Sequence, residues 1–158
     1  MIIFTDGSCR SNGKENSIGG YGVVVCDDEN NVTACFREDK EHTTNNEMEL
    51  MAILCAMEKY GNWPEEITVY SDSAYAVNTF NEWMFSWAQN DWTRGPKHEP
   101  IKNLELIQYY YKLYQKGYRI NLKKVKGHNN IKGNELADAL ATGAIKTKQE
   151  VIKFWESN

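Results

Sequence analysis

The chain has 158 residues, 41% of them hydrophobic and 25% charged, with a formal net charge of -4 at neutral pH. That length suits one domain with a proper core and is short for two, and no apolar run approaches the roughly 20 residues of a membrane span. The acidic balance argues against a protein that holds nucleic acid by bulk positive charge. The charge is unevenly spread, however: no acidic residue lies between Leu106 and Asn134, where Lys112, Lys116, Arg119, Lys123, Lys124, Lys126 and Lys132 all fall.

The four cysteines, Cys9, Cys26, Cys35 and Cys55, form no C-x-x-C pair and sit among apolar neighbours. They read as reduced packing residues. The chain starts on Met-Ile-Ile-Phe-Thr-Asp with no basic stretch or cleavage site, so a cytoplasmic protein is expected.

Ile2 to Thr5 is a short apolar run of the buried-strand type, followed by a polar loop from Arg10 to Ser17. Gly20 to Cys26 reads as a strand, Asp27 to Asn31 as a hairpin turn, and Val32 to Arg37 as an alternating edge strand. Together they predict a three-stranded antiparallel meander. Thr44-Asn45-Asn46-Glu47 has the capping-box spacing and places Thr44 at a helix N-cap. Leu50 to Met57 contains no polar residue, so that helix should be buried nearly all round.

Asn62-Trp63-Pro64 closes the segment, Ile67 to Tyr70 is another short strand, and a helix is expected from about Ser73. Phe80, Trp83, Met84 and Trp87 recur at helical spacing before the Gly95-Pro96 and Glu99-Pro100 breaks. Leu104 to Lys116 reads as a helix, Arg119 to Val125 as a strand and Asn134 to Ile145 as a helix. The tail through Val151, Phe154 and Trp155 reads as a short amphipathic helix or a frayed end. The order predicts an α/β domain with a mixed sheet flanked by helices.

Four acids stand where a carboxylate needs a reason. Asp6 and Asp72 each follow an aromatic and a hydroxyl residue at the end of an apolar run. Glu49 opens the apolar helix, and Asp138 lies on a helix after a loop that carries His128. Taken singly, each aspartate also reads as a turn, cap or surface residue. Glu49 is harder to explain without a partner, since burial of a carboxylate is costly. If the fold gathers the four, all-oxygen ligation favours Mg²⁺ or Mn²⁺ over zinc. A pair of such ions suits in-line phosphoryl displacement, and an imidazole beside them could carry protons.

Phe4-Thr5-Asp6-Gly7-Ser8-Cys9, Gly19-Gly20-Tyr21-Gly22, Thr43 to Leu50, Tyr70-Ser71-Asp72-Ser73, and Val125 to His128 leading to Gly133 through Asp138 occur in this order. In these five stretches the chain resembles type 1 ribonuclease H over essentially its full length. The resemblance implies a ribonuclease H-like fold: a five-stranded mixed sheet with helices on both faces, as a single domain over 1–158. It implies that Asp6, Glu49, Asp72 and Asp138 bind the metal and that His128 assists. The implied activity is hydrolysis of the RNA strand of an RNA–DNA hybrid, leaving 3′-hydroxyl and 5′-phosphate ends. Asn12, Asn45 and Asn46 match minor-groove contact positions, where amides can meet 2′-hydroxyls. Thr44 and Asn103 match a pocket for a DNA-strand phosphate, and Trp83 a stacking position against deoxyribose.

The chain departs from the basic members of the family in its Trp-rich protrusion, around residues 80–100. Ala88-Gln89-Asn90-Asp91 carries no positive charge there, so weaker hybrid affinity than in a strongly basic relative is expected. Ala74 also stands where some members carry an amide. The expectation is a free-standing monomer that binds no membrane. A ribonuclease H domain of a reverse transcriptase and a catalytically silent nucleic-acid-binding module are the alternatives.

Overall fold

Backbone pairing, more than apolar content, sets the length of the first strands. In the computed structural model, which describes residues 1–125 and 132–157, β1 spans Ile2–Arg10 and β2 spans Ile18–Cys26. They pair antiparallel along their whole lengths, from Ile2↔Cys26 to Arg10↔Ile18. Asp6 therefore sits inside β1, opposite Gly22, and not at a strand end as the apolar run alone suggested.

The third strand, β3 (Val32–Glu41), extends past the expected Arg37 and lies antiparallel to β2. The fourth, β4 (Thr68–Ser71), pairs parallel with β1, and β5 (Asn121–Lys124) parallel with β4. The resulting mixed sheet has the order β3-β2-β1-β4-β5.

Side chains alternate across this sheet with period 2. Ile3, Val23 and Val25 face one cluster with α1 (Asn45–Tyr60) and α4 (Leu104–Gln115). Phe4, Val24 and Cys26 face the other, with α5 (Lys132–Thr142) and α6 (Lys148–Ser157). Helices thus cover both faces. All four cysteines are free.

The α1 helix starts as its sequence predicts: the Thr44 hydroxyl accepts from the Glu47 N–H at 3.1 Å. The Glu47 carboxylate does not complete the box. It accepts from the Thr43 hydroxyl and pairs with Lys40 Nζ at 2.9 Å. Every residue from Ala52 to Met57 is buried, because Ile107, Tyr110 and Leu113 of α4, with Ala76, Val77 and Phe80, cover the side turned away from the sheet.

Between β4 and α4 the chain forms α2 (Ala74–Asn78), a π-helical turn (Thr79–Trp83) and α3 (Met84–Gln89). The expected single apolar face is split there. Phe80 is buried, stacking on Tyr110 at 3.9 Å between ring centroids, and Met84 is buried, while Trp83 remains 38% exposed. In the protrusion, Phe85 and Trp92 pack edge-on against Tyr111 at 6.1 and 5.2 Å, which anchors it to α4.

The α5 helix begins at Lys132 and ends at Thr142, short of the expected Ile145. Gly143 follows with φ +82, the left-handed conformation that ends many helices. The tail is a helix: α6 buries Val151, and Trp155 Nε1 donates to the Asn30 carbonyl at 2.9 Å. No helix among the described residues is long and apolar enough to cross a membrane.

The α5 helix reaches β2 across Gly22, where an added Cβ would lie 2.4 Å from the Ala137 carbonyl oxygen and 2.6 Å from Leu140 Cβ. Gly22→Ala is therefore expected to lower unfolding free energy by about 1–3 kcal/mol, read as a lower urea midpoint. An unchanged midpoint would mean that α5 shifts without penalty and that the contact does not position it.

Candidate active site

The site lies where two parallel strands part. The pairing of β4 with β1 runs from Ile2↔Thr68 to Phe4↔Tyr70. Beyond this, β1 continues with β2 alone, leaving one edge open. Thr5 Oγ1 bridges the fork by donating to the Tyr70 carbonyl at 2.9 Å. The Gly7 N–H points into the opening and donates to Glu49 Oε1 at 3.1 Å. A Cβ at Gly7 would sit 2.3 Å from the Glu49 nitrogen, so glycine there lets α1 lie against β1 and bring Glu49 to the fork.

Ser71, the last residue of β4, donates to Glu49 Oε2 at 3.5 Å and accepts from the Ser73 N–H at 3.1 Å. Asp72 follows directly and is exposed. Carboxylate oxygens of Asp6, Glu49 and Asp72 lie within 4.8 Å of one another. Asp138, exposed on α5, approaches from the other helix closely enough to help raise the pKa of the Asp6 carboxyl.

Asp6 is 5% exposed and Glu49 is 7% exposed. Burial is the main reason both carboxyls are pushed above the ordinary carboxylate range. For Asp6 the neighbouring Glu49 and Asp72 charges and the Asp138 contact add to it. For Glu49 the Gly7 N–H and Ser71 hydroxyl work in the opposite direction, favouring the charged form. No Lys or Arg is ion-paired to any of the four acids among the described residues.

The donor set fits a hard divalent cation. It is all oxygen, converges from three elements, and carries a repulsion that such an ion would relieve. Asp6, Glu49 and Asp72 are the residues placed to hold it, with Asp138 at the flank.

The amide and threonine positions gather in a neighbouring groove of 630 Å³, lined by Asn12, Thr44, Asn45, Asn46 and Asn103 together with Tyr75. Asn12 Oδ1 accepts from the Asn45 N–H at 2.8 Å, which fixes the first loop to the start of α1. Asn103 has φ 60 and donates through Nδ2 to the Tyr75 hydroxyl at 3.2 Å. Because Thr44 Oγ1 only accepts in the cap, its own proton remains for a ligand. Trp83 does not line this groove; it packs behind it, 6.4 Å from Tyr75 and 6.1 Å from Trp87 between ring centroids. His128 lies outside the described residues.

Sequence reasoning missed Gly7 and Ser71, which orient Glu49, and Tyr75, which holds Asn103. A glycine directly after a strand aspartate was the available signal for the first; nothing in the sequence marks Tyr75.

A carboxylate cluster at the fork of parallel strands, on a sheet covered by helices on both faces, defines an α/β protein whose site suits a hard metal ion. Comparison narrows the class. A sequence model of RNase H matches residues 1–146. Ribonuclease H of Clostridium botulinum is 40% identical over 148 residues, covering 92% of this chain and 95% of that protein. Ribonuclease H of Syntrophomonas wolfei is 38% identical over 148 residues, covering 93% and 97%.

Among solved structures, the PFV RNase H domain superposes with a TM-score of 0.78 at 24% identity, covering 90% of this chain and 92% of that one. LC9-RNase H1, a type 1 RNase H, gives a TM-score of 0.68 at 29% identity, covering 90% and 70%. The chain belongs to the RNase H family, and its enzymatic class is ribonuclease H.

The raised carboxyls have a consequence for stability. A carboxyl whose pKa is raised by folding keeps a proton that the unfolded chain releases, so its contribution is full below about pH 4 and is lost as pH rises through the folded value. The metal-free protein is therefore expected to lose stability from about pH 4 upward through neutrality. Asp6→Asn should then stabilise it in EDTA at pH 8 by about 1–2 kcal/mol, a rise of a few degrees in Tm. Added Mn²⁺ should raise the Tm of the unaltered chain more than that of Asp6→Asn. A lower Tm for the variant in EDTA would contradict this electrostatic account.

Proposed function

We propose that the chain hydrolyses the RNA strand of RNA–DNA hybrids at the Asp6–Glu49–Asp72–Asp138 cluster, leaving 3′-hydroxyl and 5′-phosphate ends. The observation that carries this reading is the mutual approach of three carboxylates within 4.8 Å beside an amide-lined groove. Fold neighbours captured with nucleic acid support it: LC11-RNase H1 in complex with RNA/DNA hybrid superposes with a TM-score of 0.63.

Mg²⁺ or Mn²⁺, as a bound pair, would supply charge stabilisation for the attacking and leaving oxygens. The chain's own part is placement. Gly7 and Ser71 orient Glu49, and the sheet fixes Asp6 so that the acids face one point. Asn12, Asn45 and Asn46 offer amides that both donate to and accept from 2′-hydroxyls in a shallow minor groove. Thr44 and Asn103 offer a hydroxyl and an amide to a phosphate of the second strand. His128 moves a proton at the water or the leaving oxygen. In this reading the enzyme works as a monomer in the cytoplasm.

The test is cleavage of labelled hybrid, RNA duplex, DNA duplex and single strands with Mg²⁺, Mn²⁺ or EDTA. Cleavage should be confined to the RNA of the hybrid and vanish in EDTA. Asp72→Asn should lower kcat by roughly two to three orders of magnitude, and full activity in that variant would sink the mechanism. His128→Ala should slow turnover roughly a hundredfold without abolishing it. A loss as deep as that of Asp6→Asn would contradict its assisting role.

A further inference from the structure

A second concavity, of 290 Å³, lies beside the acidic cluster on the α5 side of the sheet. Its lining includes Arg10, Arg37, Lys146, Asp39, Ser8 and Gly20, so three cations face one carboxylate. Arg37 has a fixed role: its Nε donates to the Leu140 carbonyl at 2.9 Å and its guanidinium pairs with Asp39 at 2.6 Å. By taking up a carbonyl at the end of α5, Arg37 offsets the negative helix terminus that would otherwise repel an anion. Arg10 and Lys146 are exposed and take part in no ion pair among the described residues. With the Arg37–Asp39 pair internally balanced, the cleft keeps the two positive charges of Arg10 and Lys146.

The position of the cleft relative to the acids identifies the ligand. Ser8 and Arg10 follow Asp6 on the same face of β1, at steps of roughly 7 Å. The cleft-lining Thr142 lies one turn of α5 beyond Asp138, about 5–6 Å along the helix. A strand held at the acids and rising about 3.4 Å per nucleotide would bring a phosphate two to four nucleotides away to the cleft. Thr44 and Asn103, the residues assigned to the second strand, line a groove that shares no residue with the cleft, so the strand passing the cleft is taken as the cleaved one.

We infer that this cleft is a second phosphate subsite, which grips the cleaved strand two to four nucleotides from the scissile bond through Arg10 and Lys146. It rests on the hybrid-cleavage reading and adds to it a source of grip on the cleaved strand. In the protrusion Arg94 is itself paired with Glu99 at 3.2 Å.

The test is hybrid binding by fluorescence anisotropy in EDTA, so that cleavage does not intervene, using the full chain and the double variant Arg10→Gln/Lys146→Gln. Lys59→Gln, which removes a cation beside Phe36 on the α1 side, is the charge control. Thermal unfolding of each variant verifies folding; Arg37 is left intact because it is tied to α5. The double variant should bind roughly tenfold more weakly at 0.1 M salt, with its log–log salt slope reduced by about one to two. The control should change neither by as much.

Hybrids in which single RNA-strand phosphates are replaced by neutral methylphosphonates locate the contact. A replacement two to four nucleotides from the cleaved bond should weaken binding of the unaltered chain and leave the double variant indifferent. Equal affinity and slope in the double variant, or a position-independent response shared by both proteins, would overturn the subsite. Loss of inorganic phosphate binding with hybrid binding unchanged would make the cleft a free-anion site and overturn the strand reading. If the unaltered chain neither binds hybrid nor cleaves it with Mg²⁺ or Mn²⁺, the proposed function falls too; if it binds and cleaves hybrid and only the variant result fails, the cleft alone is refuted.

Discussion

Two helices approach the central strand pair from opposite sides, and each does so across a glycine. The α1 backbone lies against β1 at Gly7, and the α5 backbone lies against β2 at Gly22, the residue opposite Asp6. Any side chain at either position would displace a helix. The first approach brings Glu49 into the fork between β1 and β4, and the second brings Asp138 to Asp6. Strand, helix and site are consequently one geometric problem: the distance between helix axis and sheet sets the distance between carboxylates.

That geometry places like charges together in a poorly solvated setting, which opposes folding. Asp6 and Glu49 are nearly buried without a cationic side chain among the described residues, and Ser71 and the Gly7 N–H give Glu49 only hydrogen bonds. A pair of buried acids that served only structure would be replaced without loss by neutral residues. Retaining it makes sense where a divalent cation compensates the charge, and then the repulsion becomes affinity for the ion. The rest of the fold has to supply the opposing stability. It does so with the wholly buried stretch Ala52–Met57, clamped between the sheet and the α4 aromatics.

The sequence made the ligands legible but not their supports. Strand and helix order and the Thr44 cap follow from local patterns, because hydrophobic period and capping chemistry are written in adjacent residues, whereas the four acids read as one site only through the family resemblance. The extent of β1 past Asp6 was not legible, since it depends on β2 running alongside as far as Ile18. The π-helical turn at Thr79–Trp83 was equally hidden. It divides an apolar series that looked like one helical face, sending Phe80 and Met84 inward and leaving Trp83 partly exposed. The end of α5 at Gly143 could have been read, because a glycine after a periodic run is a common stop. Arg10, Arg37 and Lys146 could not have been grouped at all; they come from β1, β3 and the segment after α5.

This distribution of charge bears on how an acidic protein can hold a polyanion. Net charge governs long-range attraction, but contact affinity depends on which phosphates meet a cation at close range. In this chain the acidic excess is partly concentrated in the carboxylate cluster, where bound ions would neutralise it. The protrusion contributes aromatic packing against α4 and an Arg94 paired with Glu99, so in the proposed reading the hold on a second strand rests on Thr44, Asn103 and Lys102, which lines the same groove. The cations Arg10 and Lys146 line a separate cleft, which the proposed subsite places along the path of the cleaved strand. Such a division would separate much of the recognition from grip on the cleaved strand. Neutral donors and acceptors can discriminate one sugar from another because they respond to a single hydroxyl, whereas cations hold any phosphate alike. If both proposals hold, placing these cations beyond the acids would let the enzyme anchor the cleaved strand without weakening the selectivity that the asparagine groove would provide.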